Sequence, residues 1–177
     1  MPRLDLRPDH QLLVRLLRAP EQVQSLSPHT LSLAIDAASH ARLLGWLVAR
    51  LDEYAVSPPE GWIADRLTGA RALVREYDRG LRWEIDRLSR AFVDTGITWV
   101  LLKGSGYLAA GLPPGKGRRV ADIDLLVADS ALPETERVLQ AHGWAFPEID
   151  PYDERYYRTW MHESPPMVHR ERASVVD

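Results

Sequence analysis

The chain of 177 residues contains no cysteine. Disulfide frameworks, thiolate metal sites and cysteine nucleophiles are therefore excluded, and the absence agrees with a reducing compartment. Lysine is nearly missing too: of 22 Lys and Arg residues only Lys103 and Lys116 are lysines. The formal net charge is only -3, so no global positive field argues for nucleic acid, and there is no DNA-binding signature. No stretch approaches the ~20 apolar residues of a spanning helix. The opening Met1-Pro2-Arg3-Leu4-Asp5 lacks the apolar run of a signal peptide. These absences lead to the expectation of a soluble, cytoplasmic protein with no membrane partner. Internal repeats and low-complexity tracts are absent as well. What is present is ordinary for a globular chain, with 45% apolar and 27% charged residues, at a length that can bury a core without staples.

Apolar spacing divides the chain into a helical part, residues 1–95, and a mixed part, residues 96–177. Leu12, Leu13, Leu16 and Leu17 recur at helical spacing, and Pro20 closes that segment. Ser27-Pro28 is a cap with proline in the first turn, and predicts one helix running on toward Leu47. Pro58-Pro59-Glu60-Gly61 is a break. A long helix is expected from about Ile63 to Asp94, its apolar side running from Leu67 to Phe92. Its charged side, including Arg71, Arg82 and Glu84, reads as a solvated face. After Gly96 the charge-free run Ile97 to Leu102 predicts a buried strand. Lys103-Gly104-Ser105-Gly106, a short helix through Leu108, and a turn-rich basic loop ending in Arg118-Arg119 follow. Asp122 to Val127 predicts a strand, and the segment from Ser130 to Gly143 a helix. Trp144 to Phe146, Met167 to His169 and Ala173 to Val176 are shorter strand candidates, and Tyr152 to Met161 a helix. The fold class expected is α+β or α/β: a helical N-terminal part before a small mixed β-sheet core with flanking helices.

The sharpest chemical feature is Asp122-Ile123-Asp124 opening an apolar strand. Alternation points both carboxylates to one face and Ile123 and Leu125 to the other. Two such groups repel, and burying them without a partner costs several kcal/mol. A divalent cation removes the conflict, and carboxylate oxygens suit Mg²⁺. An isolated Asp-X-Asp is also a common solvated strand end, so the context matters. Gly104-Ser105 stands just before a helix, where backbone amides and the helix dipole favour a phosphate. Alone that pair is ordinary turn and cap chemistry, and it is not a Walker-type loop. Together, a phosphate-friendly turn and a carboxylate pair are what nucleotidyl transfer needs. Two Mg²⁺ ions (or Mn²⁺) about 3.5–4 Å apart can hold the phosphates and activate a hydroxyl. Asp177, ending the run Val175-Val176, is the candidate third carboxylate.

Leu101-Leu102-Lys103-Gly104-Ser105, Arg118 and Asp122-Ile123-Asp124-Leu125-Leu126-Val127 together resemble the bacterial nucleotidyltransferase family proteins of the polymerase-beta-like superfamily. The run His162-Glu163-Ser164-Pro165-Pro166-Met167-Val168, leading to Asp177, is similar to the same group. The resemblance covers roughly Trp99 to Asp177, with helices in the usual lead-in position. It implies phosphate contacts at Lys103, Gly104 and Ser105, and a triphosphate contact at Arg118, or less so Arg119. It implies metal ligation and a catalytic role at Asp122, Asp124 and Asp177. It also implies a core truncated at its C-terminus, because relatives continue beyond the equivalent of Asp177.

The expected function is Mg²⁺-dependent transfer of a nucleoside monophosphate from an NTP to a hydroxyl. The acceptor is a small molecule, a protein or an RNA end, and the sequence does not choose among them. The alternative is a non-catalytic nucleotide- or partner-binding module, a degenerate or truncated relative such as a toxin–antitoxin-like component. The six histidines show no metal-ligand spacing, and His162 and His169 read as structural or surface residues. Tyr156, Tyr157 and Trp160, near Arg155 and Arg158, read as a core-facing aromatic stripe rather than a base-stacking platform.

Overall fold

A computed structural model of the chain describes residues 7–148, 150–157, 160 and 163–177. It forms two compact units. The first comprises residues 1–77 with 116–119, and the second residues 78–115 with 120–177. The division falls inside one long helix.

The first unit is helical. α1 (Pro8–Arg18) stops ahead of Pro20, and a 3-10 turn (Pro20–Ser25) follows. α2 (Pro28–His40) starts where the sequence placed it, with the Ser27 hydroxyl accepting from the Thr30 amide at 3.2 Å. The helix expected to run on toward Leu47 instead stops at His40, and α3 (Leu44–Glu53) begins after a turn. Arg42 takes φ 58 there, so the chain reverses with no glycine or proline to announce it. α4 (Trp62–Ala91) follows the Pro58-Pro59 break. Leu13, Leu16, Leu31, Ile35, Leu47 and Leu67 are fully shielded in this unit's core.

The second unit is mixed. It takes residues 78–91 of α4, then β1 (Trp99–Leu101), α5 (Lys103–Ala109), β2 (Asp122–Ile123) and β3 (Leu125–Val127). α6 (Leu132–Ala141), β4 (Trp144–Ala145), α7 (Pro151–Tyr156), β5 (Met167–His169) and β6 (Val175–Val176) complete it. β1 pairs antiparallel with β3, Val100 facing Leu126. The other four strands form a sheet in the order β2-β6-β5-β4, with β2 parallel to β6 and the remaining pairs antiparallel. This α+β architecture is the fold class expected from the sequence. Leu88, Phe92, Ile123, Leu139, Trp144 and Met167 make its core.

Three expectations change in detail. The Ile97 to Leu102 run is not buried on both sides: Val100 is half exposed, while Trp99 and Leu101 pack against the core. Asp122 to Val127 is interrupted at Asp124, because β2 bonds β6 and β3 bonds β1. Nor is the charged side of α4 wholly solvated. Arg82 donates to the Leu108 carbonyl at 3.1 Å, and Glu84, 12% exposed, receives both arms of Arg172 at 2.7 and 3.1 Å. Of the aromatic stripe read as core-facing, Tyr156 and Trp160 are exposed instead, at 46% and 72%. Arg158, Met161 and His162 lie outside the described residues.

The Arg172–Glu84 pair ties the β5–β6 hairpin to α4. The guanidinium also lies 5.2 Å from the Trp83 ring centre and 5.1 Å from that of Trp144, a favourable place for a cation. Removing one partner of a mostly buried pair strands the other charge. Glu84→Ala should therefore lower unfolding stability by about 2 kcal/mol, the partial exposure of Arg172 moderating the full burial penalty. An unchanged urea midpoint would refute the tie.

Candidate active site

The local chain path gathers the acidic residues at the point where β2 of one sheet runs on into β3 of the other. Asp124 is that point. Its carbonyl accepts from the Leu102 amide at 2.9 Å, on the β1 side. On the β6 side, the Asp177 amide donates to the Ile123 carbonyl at 3.0 Å, and the Leu125 amide donates to the Asp177 carbonyl at 2.7 Å. Parallel pairing of Asp122 with Val175 and Ile123 with Val176 thus continues to set Asp177 beside Asp124. Ile123 is 2% exposed in the core and Leu125 packs against it. Their burial turns Asp122 and Asp124 to the opposite side, as strand alternation requires.

The three carboxylates differ in environment. Asp122 is exposed. Asp124 is only 5% exposed and its carboxylate binds the Lys103 ammonium. That pairing raises the Lys103 amine above its ordinary value, the hydrogen bond to Asp124 being the main cause. Lys103 can reach Asp124 because it opens α5 directly after Leu102, in a backbone conformation with φ 46. One oxygen of Asp177, Oδ1, is buried with no hydrogen-bond partner among the described residues. Burial chiefly, then the charges of Glu163 and Asp124, with a further push from Asp122, raise the Asp177 carboxyl above its ordinary 3.8; Lys103 pulls the other way.

A raised carboxyl pKa means that the fold holds this proton more tightly than the unfolded chain does. The resulting stability is fully present below 3.8 and is lost as the pH rises through the raised value. In a chelator, Asp177→Asn should therefore raise the melting temperature at neutral pH, and the gain should vanish in acid. Parallel pH profiles for the two proteins would contradict this.

Beside Asp124 and Asp177 opens a cavity of about 560 Å³, which Lys103 and Glu163 also line. Glu163 has no role in the sequence reading, although it lies in the quoted run before Pro165-Pro166. Only its spacing from the strand Met167–His169 hinted that it stands near the sheet end. Gly104 and Ser105 are buried, and the Ser105 hydroxyl donates to the Leu102 carbonyl at 2.9 Å, closing the first turn of α5. Gly106 lets that turn sit against β1: an added Cβ would meet the Leu101 carbonyl oxygen at 2.7 Å. Arg118 is exposed and belongs to the segment that folds with the first unit. In the same segment, the Arg119 guanidinium lies 4.9 Å from the Tyr77 ring centre. His169 is a core residue, 5% exposed and edge-on to Trp144 at 4.9 Å.

The donor set suits a hard cation, with carboxylate oxygens on three neighbouring strand positions and one buried oxygen that has no partner among the described residues. Among the described residues, however, no three acidic or imidazole groups close on a single metal position. Lys103 supplies positive charge at Asp124 instead. No helix of the described residues is long and apolar enough to cross a membrane.

Comparisons with curated proteins and with solved structures gave no match. A family model described as an uncharacterised nucleotidyltransferase matches residues 28–177, from the start of α2 through Asp177, and the chain belongs to that family.

Proposed function

We propose that the chain is a Mg²⁺-dependent nucleotidyltransferase, with Mn²⁺ as a substitute, in which Asp122, Asp124 and Asp177 hold the metal. Family membership supports nucleotidyl transfer as the general chemistry. The observation that carries the finer reading is the β2–β6 pairing, which sets a third carboxylate beside the Asp-Ile-Asp pair. In the reaction the acceptor hydroxyl oxygen forms a bond to the α-phosphorus of an NTP. The bond from that phosphorus to the pyrophosphate oxygen breaks, and the hydroxyl proton is released. The bound metal supplies charge neutralisation for the phosphates and a lowered pKa for the hydroxyl.

The chain's own groups have defined tasks. Asp124 and Asp177 present their oxygens from a backbone fixed on both sides by strand hydrogen bonds. Lys103 compensates Asp124, and with a metal held there its ammonium, on a 65% exposed side chain, would be released to a phosphate oxygen. The first-turn amides of α5, at Gly104 and Ser105, are the phosphate-side donors.

A second reading has one observation behind it: Lys103 already compensates Asp124, as it would in a module that binds nucleotide without turnover. Thermal-shift titration with ATP, GTP, CTP and UTP, with and without Mg²⁺, tests both. A ligand at a hundred times its Kd stabilises the native state by about 2.7 kcal/mol. A magnesium-dependent shift that Asp122→Asn abolishes is expected. A shift without pyrophosphate release favours the binding module, and no shift with any nucleotide refutes both.

A further inference from the structure

The cavity beside Asp124 and Asp177 has two kinds of wall. Leu125, Leu132, Leu139, Met167 and Val176 make it apolar, while Asp129 and Glu163 bring carboxylates that the reaction itself does not use. Among its described lining residues Lys103 is the only cation, and its ammonium sits on Asp124. Gly104 and Ser105, the phosphate-side residues, do not line it. A triphosphate is a polyanion, and a cavity with surplus negative charge repels it. An RNA end is disfavoured for the same reason. At about 560 Å³ the space is of the size that holds one small organic molecule, within the roughly 300–1,000 Å³ range of ligand pockets.

We propose that this cavity receives the acceptor, and that the acceptor is a small hydroxyl-bearing organic cation: an amine with an apolar body. The inference rests on the nucleotidyl-transfer reading and names the substrate class of that same site. The apolar body lies against Leu132, Leu139 and Met167, the ammonium faces Glu163 and Asp129, and the hydroxyl points to Asp124 and Asp177. Glu163, Asp124 and Asp177 line the same cavity of about 560 Å³, so amine and hydroxyl sites lie within one small molecule's reach. Transfer onto that hydroxyl yields a nucleotidyl ester of the amine and pyrophosphate, with the hydroxyl proton released.

Three probes of nearly equal shape test the charge preference: 2-amino-1-phenylethanol, its neutral analogue 1-phenylethane-1,2-diol, and mandelate. Isothermal titration calorimetry of the full chain should give the amine about tenfold tighter binding than the diol, and no binding of mandelate. Glu163→Gln should weaken the amine by about threefold, as an exposed charge does, and leave the diol unchanged. Equal affinity for amine and diol, insensitivity to Glu163→Gln, or no binding of any probe at millimolar concentration would each overturn the proposal. The Mg²⁺-dependent nucleotide shift, measured on the same preparation, separates the two readings. A nucleotide shift without amine preference overturns only the acceptor class, whereas amine preference without a nucleotide shift overturns the transfer reading.

Discussion

Asp122→Asn combined with Asp124→Asn should abolish turnover, by about a thousandfold or more, while leaving the fold intact. Metal coordination of the phosphates and nucleophile is worth several kcal/mol in the transition state, and each ~1.4 kcal/mol is a tenfold rate factor. Neither amide can replace a carboxylate as a charged ligand. The fold survives for a local reason. Asp124 is held by its own backbone between Leu102 and the Ile123–Asp177 ladder, not by its carboxylate. Its side-chain partner Lys103 is 65% exposed and returns to water. The substitutions also remove two charges that push up the carboxyl of Asp177, so the metal-free variant should melt no lower than the parent. The check is pyrophosphate release beside a melting curve. Turnover within tenfold of the parent would place the chemistry elsewhere, and a collapsed melting curve would mean that Asp124 is structural.

The parts of this architecture that were legible are those written in neighbouring residues. Ser27-Pro28 announces α2 through a cap hydroxyl and a proline, and Pro58-Pro59 announces the break before α4. Ile123 and Leu125 around Asp124 fix the facing of the carboxylate pair, since the core admits only the apolar side. Less was legible where distant segments decide. The turn between α2 and α3 rests on Arg42 in a left-handed conformation that no local residue type signals. The interruption at Asp124 exists because two partners, β1 and β6, compete for one strand, and strand partners are not encoded in periodicity. Likewise the pairing of Lys103 with Asp124 joins residues 21 positions apart. The burial of Glu84 against Arg172 spans 88. A charged helical residue reads as solvated until its distant partner is known.

The basic loop offers the test with the largest expected effect on stability. Gly117→Ala should destabilise the first unit by about 3 kcal/mol or more. Gly117 sits at φ +68, a conformation that costs a side-chain-bearing residue roughly 1–2 kcal/mol. Space is the second cost. A Cβ there would lie 2.1 Å from the Gly45 carbonyl oxygen, 2.5 Å from its carbon and 3.0 Å from the Ala49 Cβ. The first two are backbone atoms of α3, so no side-chain rotation relieves the clash, and overpacking of this kind costs about 1–3 kcal/mol. Gly45 is the reciprocal half of the contact, its own Cβ position lying 2.1 Å from the Gly117 carbonyl oxygen. Side-chain anchors near the loop, Lys116 to Glu53 at 3.4 Å and Arg119 over Tyr77, are exposed or partly so and cannot substitute for that backbone contact. The variant should therefore lose the seat of the loop that carries Arg118. Hydrogen exchange should show faster exchange at residues 115–119 and in the first turn of α3, together with a lower urea midpoint. Full retention of both would mean that loop and helix are not in backbone contact.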